Sequence, residues 1–151
     1  MNAPGGLPTE RQTHRAILGM IRASFPHAIA HHSPNGAHLA GSDTARFRQV
    51  GALKGDGMLS GWPDLIILWA AGKGGLLEVK REFGPRGGGG GVVSEEQKAL
   101  HEKLAGIGWP IAIVRSVDEA YMKLREWGAP WSGVDPRLVK LVDAYHPEVR
   151  A

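Results

Sequence analysis

The sequence of 151 residues contains no cysteine. This absence excludes disulfides, zinc ribbons, thiol nucleophiles and iron–sulfur ligation, and it is compatible with a reducing cytoplasm. Long hydrophobic runs are also missing, because the run from Leu65 to Ala71 is far too short to span a bilayer. The N-terminus shows neither a basic start nor an apolar segment, so no secretory signal is visible. We therefore expect a cytoplasmic protein with one domain, since a chain of this length buries about two-thirds of its unfolded surface.

The small positive charge is concentrated in the middle of the chain. Lys and Arg number 18 against 15 Asp and Glu, which gives a net charge of +3. The segment 46–86 holds seven basic and four acidic residues, so it accounts for this whole excess. Such a segment is either a solvated face or a phosphate-binding surface. Its basic residues are Arg46, Arg48, Lys54, Lys73, Lys80, Arg81 and Arg86.

The order of apolar and turn-forming residues predicts an α/β fold with a mixed central sheet flanked by helices. A first helix begins after Thr9, where T-E-R-Q is typical of a capping box closed by Gln12, and ends before Pro26. The next predicted elements are a strand at 28–32, a short helix from 42 or 43 to 53, and strands at 65–69 and 76–80 separated by a glycine-rich turn at 70–75. A glycine loop at 84–91, a helix after Ser94 with an apolar stripe of Leu100, Leu104 and Ile107, a strand at 110–114, a helix from 116 to about 127 and a last helix from 135 complete the order.

Three polar residues interrupt the two central strands at matched positions. Asp64 begins one predicted strand, while Glu78 and Lys80 share one face of the next because side chains alternate along a strand. A hairpin would set Asp64 beside Glu78, and two converging carboxylates repel each other unless a cation joins them. Oxygen ligands suit Mg²⁺ or Mn²⁺, and a nearby lysine can polarise water and stabilise charge on a phosphate. This set of groups indicates hydrolysis of a phosphodiester.

Two further polar residues lie in the first turn of a predicted helix, on the same side as the apolar residues that face inward. Glu10 precedes Ile17 and Ile21 on the first helix, and Gln97 precedes Leu104 on the helix after Ser94. Both are therefore candidates for the same site. Each also has a structural explanation, since Glu10 suits the first turn of a helix dipole and Gln97 can close a capping box with Ser94.

The ordered set of motifs resembles the VRR-NUC domain, the virus-type replication–repair nucleases of the PD-(D/E)xK superfamily. The resemblance covers about residues 9–127, leaving 1–8 as a flexible N-terminal tail and 128–151 as a C-terminal helical extension. The segments that carry it are Gly61-Trp62-Pro63-Asp64, Glu78-Val79-Lys80, Ser94-Glu95-Glu96-Gln97, Glu10 with Gln12, Ser33-Pro34-Asn35-Gly36, and Ala112 to Ala120. The chain departs from the family in its five-glycine run and in the tail after Trp127.

The resemblance implies a restriction-endonuclease-like core with the order αβββαβ, a divalent metal, and DNA as the substrate. Asp64 and Glu78 would be metal ligands, the Val79 carbonyl a third, Lys80 catalytic, and Glu10 and Gln97 active-site residues. The expected DNA-binding residues are Arg46, Arg48, Lys54, Lys73, Arg81, Arg86 and Asn35. Small members of the family resemble junction resolvases and often form homodimers, which implies a structure-selective endonuclease of a bacterial or phage-infected cell, active in replication, repair or recombination.

Two other functions fit parts of the sequence. A DNA-binding module of the same fold could act without cleavage as the partner of a helicase, but a lapsed nuclease usually loses one of Asp64, Glu78 and Lys80. A purely structural α/β protein leaves the central charge excess unexplained. The glycine run lacks the Lys-Ser/Thr of a P-loop, so we expect no nucleotide cofactor. We expect the run to be mobile in the free protein, either closing over DNA or acting as a spacer.

Overall fold

The computed structural model describes residues 6–34 and 41–138, which form an α/β fold. Within these residues the elements are, in chain order, α1 (Glu10–Ser24), β1 (Ile29–His32), α2 (Asp43–Gly55), β2 (Leu65–Trp69), β3 (Lys73–Val79), α3 (Glu95–Gly106), β4 (Ile111–Val114) and α4 (Val117–Glu126). Across the described chain, no helix combines the length and apolar character needed to cross a membrane.

The helices begin where the sequence predicts them to begin. Thr9 and Ser94 each form a complete capping box, with Gln12 and Gln97 as the reciprocal partners. Ser42 and Ser116 cap α2 and α4 with their side chains. These four hydroxyls accept backbone N–H groups that would otherwise lack an intrahelical partner, so the local sequence fixes the start of each helix.

The four strands of the described chain form one mixed sheet in the order β1-β2-β3-β4. The pairs β1–β2 and β2–β3 are antiparallel, whereas β4 returns through α3 to lie parallel to β3. Leu65 lies opposite Leu77 in this register, and Glu78 lies opposite Ile113. Asp64 and Glu78 therefore come to the same end of the β2–β3 hairpin.

The hydrophobic core lies on the face of the sheet that α1 and α4 cover. Its buried residues include Ile17, Ile21, Leu65, Ile67, Leu77, Val79, Val114, Tyr121 and Leu124. The strand residues in this group alternate with others that point to the opposite face, where Glu78 lies. The core thus fixes which side chains the hairpin presents on the second face.

Two local predictions were wrong. Strand β3 begins at Lys73 rather than at residue 76, because Ala71 and Gly72 both adopt positive φ and turn the chain earlier. Gly74 and Gly75 belong to the strand, where a Cβ at Gly75 would collide with the Trp127 ring and a Cβ at Gly74 would lie 2.7 Å from the Ile67 carbonyl oxygen and 3.3 Å from the Trp109 ring. Ile107 is not part of the inward stripe of α3, since it lies at the C-cap and is 74 % exposed.

The residues after α4 continue to pack against the domain. Ser132 donates from its backbone N–H to the Ser24 carbonyl at 2.9 Å and from its hydroxyl to the Ala23 carbonyl at 3.0 Å. The Arg125 guanidinium lies 3.5 Å from the centroid of a Trp131 ring. The final predicted helix, with Leu138, Leu141, Val142 and Tyr145 on one side, falls mostly on residues 139–151, outside the described chain, as do Asn35 and residues 1–5 of the predicted tail.

Candidate active site

Asp64 and Glu78 come together as predicted, and Asp64 is tied to the strands on both sides of it. Its Oδ2 accepts a hydrogen bond of 2.8 Å from the Val79 backbone N–H on β3. Its carbonyl accepts one of 2.8 Å from the Ser33 N–H just after β1. These contacts hold the Asp64 carboxylate at the end of the hairpin through backbone geometry rather than through a flexible side chain.

Glu78 is the most deeply buried charged group of the site, with a relative exposure of 1 %. Both of its hydrogen bonds converge on Oε1. The Lys80 ammonium lies 2.8 Å from Oε1, and the Gln97 amide nitrogen donates to the same atom at 2.5 Å. Among the described residues, Glu78 Oε2 has no hydrogen-bond partner. One oxygen is therefore saturated by donors and the other is left open.

Burial raises the pKa of Glu78 from 4.5 to about 7. The hydrogen bond and charge of Lys80 oppose this shift, while the negative charges of Asp64 and Glu10 add to it. The expectation of unpaired, repelling carboxylates needs correction, because Lys80 already pairs with Glu78. The repulsion from Asp64 nevertheless remains, and it favours either a proton or a cation at Glu78.

Gln97 serves both functions that the sequence left open. Its Oε1 accepts from the Ser94 N–H at 2.9 Å and closes the capping box, while its Nε2 donates to Glu78. The helix approaches this closely because residue 61 is glycine. A Cβ at Gly61, which has φ +79°, would lie 2.8 Å from the Gln97 backbone nitrogen.

Glu10 lies at the edge of the same cluster, on the exposed first turn of α1. A Cβ built on Gly91 would lie 3.2 Å from Glu10 Oε2 and 3.2 Å from Lys80 Cδ. The two side chains thus flank one small space above the last residue of the glycine run. Gly91 is also fixed by a hydrogen bond of 3.1 Å from its N–H to the Arg81 carbonyl.

The sequence analysis assigned no role to three histidines that lie around the carboxylates. His32 Nδ1 lies 3.1 Å from the Asp64 carbonyl, and its ring contacts that of His14 edge-on at 4.6 Å between centroids. His101 Nε2 lies 3.9 Å from Glu78 Oε2. His14 was visible in the inward stripe of α1, and His101 stands four residues after Gln97, the spacing that places two side chains on one helix face.

Burial lowers the pKa of both His14 and His101. The positive charge of Lys80 lowers the pKa of His101 further, and His32 lowers that of His14. Asp64 opposes the shift in each case. At neutral pH both rings are therefore neutral and present an unprotonated nitrogen.

The predicted DNA-binding residues do not form a single cluster. Arg81 directly follows Lys80, and its carbonyl accepts a hydrogen bond of 2.6 Å from Arg115 Nη1. Lys73 pairs with Trp69 at the closed end of the hairpin, at the opposite end of β3 from Glu78. The remaining candidates are exposed. Arg86 lies in the glycine loop, and Arg46, Arg48 and Lys54 lie on α2, which buries none of its residues.

The donor set fits a hard divalent ion that keeps most of its water. In the described part of the chain, no group of three or more His, Asp or Glu side chains is placed to hold a metal ion. Mg²⁺ does not need one, since it is usually held by one or two carboxylates together with water and substrate phosphates. The unpartnered Oε2 of Glu78 and the Asp64 carboxylate, which lie at the same end of the hairpin, are the oxygens that could hold such an ion.

Comparison with known proteins does not assign the chain to a family. No protein-family model, no curated protein and no solved structure matches it. The site geometry, and the motifs that place these side chains there, are therefore the observations that bear on an activity.

Proposed function

We propose that the protein is a divalent-metal-dependent DNA endonuclease of the VRR-NUC type, with a restriction-endonuclease-like core. The element order supports this core, because α1, the strands β1 to β3, α3 and β4 follow the expected αβββαβ order with α2 inserted after β1. The observation that carries the proposal is the carboxylate of Glu78. A buried glutamate whose two oxygens are divided between donors and an open position is costly unless it has a function.

The charges of the cluster match the demands of phosphodiester hydrolysis. Asp64 and Glu78 would hold the ion, and the Val79 carbonyl supplies a further oxygen donor. Two carboxylates, the Lys80 ammonium and a divalent cation leave one net positive charge, which offsets the single negative charge of a phosphodiester. The bound ion would supply Lewis-acid activation of a water and of the scissile phosphate.

The chain's own side chains perform the remaining tasks. Lys80 is held beside Glu78 at 2.8 Å, so its ammonium is available to orient water and to stabilise charge on a phosphate oxygen. Gln97 donates to the same oxygen of Glu78 that Lys80 contacts, and Glu10 and the Lys80 stem both border Gly91. Hydrolysis adds the water oxygen to phosphorus, breaks one P–O ester bond and leaves the proton on the departing oxygen.

DNA would reach this site along the positive surface next to β3. Arg81 and Arg86 follow Lys80 in the chain, and Arg115 lies against Arg81. Contacts from such residues to phosphates position a duplex without reading its sequence. We therefore propose binding that depends on DNA structure and salt rather than on base sequence.

A cleavage assay with matched variants tests the proposal. Duplex, flap, single-stranded and four-way-junction DNA are incubated with Mg²⁺, Mn²⁺ or chelator. Asp64→Asn, Glu78→Gln and Lys80→Ala are each expected to lower cleavage by about 10³-fold or more, as the loss of essential catalytic groups does. The exposed ion pair Glu95–Lys98, 2.6 Å apart on α3, provides the controls Glu95→Gln and Lys98→Ala, which should retain full activity.

The result also separates the proposal from a non-cleaving DNA-binding module. Binding of the same DNAs without metal-dependent cleavage by the wild-type protein would favour that module. Full cleavage by a folded Glu78→Gln protein would remove Glu78 from the active site and refute the assignment.

A further inference from the structure

The open oxygen of Glu78 faces a second open atom. Among the described side chains, His101 Nε2 is buried and has no hydrogen-bond partner, as is also true of Glu78 Oε2. The two atoms are 3.9 Å apart, and the side chains are 11 % and 1 % exposed. Two buried polar atoms that face each other unpartnered are costly, so their arrangement requires an explanation.

The distance between His101 Nε2 and Glu78 Oε2 decides what kind of contact could satisfy both atoms. A distance of 3.9 Å is too long for a direct hydrogen bond between nitrogen and oxygen. It is shorter than the sum of two metal–ligand bonds of about 2.1 Å each. One ion at that distance from each atom would subtend an angle of about 135°, and an approach of the two atoms by about 1 Å would bring the angle to the 90° of neighbouring octahedral ligands.

Helix α3 fixes this arrangement. Gln97 and His101 are four residues apart and thus lie on one face of the helix. Gln97 donates to Oε1 of Glu78, while His101 faces Oε2. The same helix therefore closes one oxygen of the carboxylate and places a nitrogen at the other.

We propose that His101 is a metal ligand that acts together with Glu78 and gives the site a preference for Mn²⁺ over Mg²⁺. The inference rests on the proposed nuclease function and assigns a nitrogen ligand that the oxygen-only set of Asp64, Glu78 and Val79 lacks. Mg²⁺ takes oxygen ligands almost exclusively, whereas first-row transition metals also accept imidazole. An imidazole ligand binds the ion through the lone pair of its unprotonated nitrogen, and Nε2 is the atom of His101 that faces Glu78.

The deciding measurement is pulsed EPR of Mn²⁺ bound to the full-length protein. Imidazole nitrogen bound directly to Mn²⁺ gives a ¹⁴N coupling, which changes to a ¹⁵N coupling when histidine alone is labelled. We expect this coupling in the wild-type protein, its loss in His101→Gln, and its retention in His27→Gln, a control at an exposed histidine. The wild-type measurement requires no variant and therefore does not depend on how well His101→Gln folds.

Affinity provides the second measurement. Titration of the free Mn²⁺ signal should show at least about a tenfold loss of affinity in His101→Gln, since even indirect partners of a metal ligand contribute that much. Mg²⁺ affinity, measured by displacement of Mn²⁺, should change much less. The Mn²⁺ preference should therefore largely disappear in this variant.

The outcomes separate this inference from the proposed function. If Mn²⁺ binds and Glu78→Gln abolishes binding, but no histidine nitrogen couples, His101 is not a ligand and the nuclease proposal stands. Coupling that persists in His101→Gln assigns the nitrogen to another histidine and also overturns the inference. If wild type and Glu78→Gln bind Mn²⁺ equally weakly, both the inference and the proposed metal site fail.

Discussion

In the metal-free protein, Glu78 should contribute less to stability as the pH rises. Its pKa is raised from 4.5 to about 7 in the folded protein, so between these values the folded state binds more protons than the unfolded state. By linkage, the stabilising contribution is fully present below pH 4.5 and is lost as pH rises through 7. A difference of about 2.5 pKa units corresponds to about 3 kcal/mol in the free energy of unfolding.

Thermal unfolding of wild type and Glu78→Gln in chelator tests this magnitude. About 3 kcal/mol corresponds to a fall in Tm of about 6–12 °C for a chain of this size. Glu78→Gln keeps the shape of the side chain but cannot ionise, so its Tm should lack this fall. The variant should therefore be more stable than wild type at pH 7.5.

Other titrating groups also make the free energy of unfolding depend on pH, and the comparison of wild type with Glu78→Gln cancels their contributions. His14 and His101 have lowered pKa values, so their contribution to stability rises with pH up to their unfolded value of 6.5. Both remain in the variant, and only the difference between the two profiles reports on Glu78. Glu95→Gln, at an exposed glutamate, should follow the wild-type profile. Parallel profiles of Tm against pH for wild type and Glu78→Gln between pH 4.5 and 7 would refute the reasoning. At pH 7.5, Mg²⁺ should raise the Tm of wild type but not that of Glu78→Gln.

Two glycine substitutions test the packing around the site. Gly61→Ala should lower the free energy of unfolding by about 1–3 kcal/mol more than Gly57→Ala does. Both glycines have positive φ, but only an alanine at residue 61 would place its methyl 2.8 Å from the backbone of α3. Equal losses for the two variants in chemical denaturation would show that α3 can move away. Gly91→Ala should lower cleavage by about tenfold and also lower the Tm, because its methyl would lie 3.0 Å from the Arg81 backbone nitrogen and 3.2 Å from Lys80 Cδ. Gly88→Ala meets no atom within 4 Å and should be silent. Unchanged cleavage in Gly91→Ala would mean that the lysine stem adjusts freely.

Local signals in the sequence were sufficient to predict most of the elements. The four hydroxyl caps precede α1, α2, α3 and α4, and each cap interacts with residues only three positions away. Strand β2 was predicted with its observed limits from a continuous apolar run, but the expected burial on both faces was wrong, since Leu68 is 44 % exposed. The pairing of Asp64 with Glu78 then followed from the hairpin, since register along two adjacent strands is a short-range property.

The failures arose where distant residues decide the conformation. Gly74 and Gly75 resemble a turn in the sequence, but both pair with β2, and Trp109 and Trp127 from later in the chain pack against them. Ile107 fitted the helical period, yet α3 ends before it and leaves it in solvent. His101 has the spacing of an inward residue, but its importance depends on which atom of Glu78 lies opposite, and that requires the register of the strand and of the helix together.

The cap of α3 links these two registers. Ser94 sets where the helix begins, and the side-chain oxygen of Gln97 closes that cap while its nitrogen holds Glu78. Because successive residues of a helix are rotated by about 100°, beginning the helix one residue later would turn both Gln97 and His101 away from the carboxylate. The oxygen of the Gln97 amide caps α3 while its nitrogen holds Glu78. The structural and functional explanations of this residue are therefore compatible. The same serine that ends the glycine-rich segment thus determines which oxygen of Glu78 is closed by hydrogen bonds and which one faces His101.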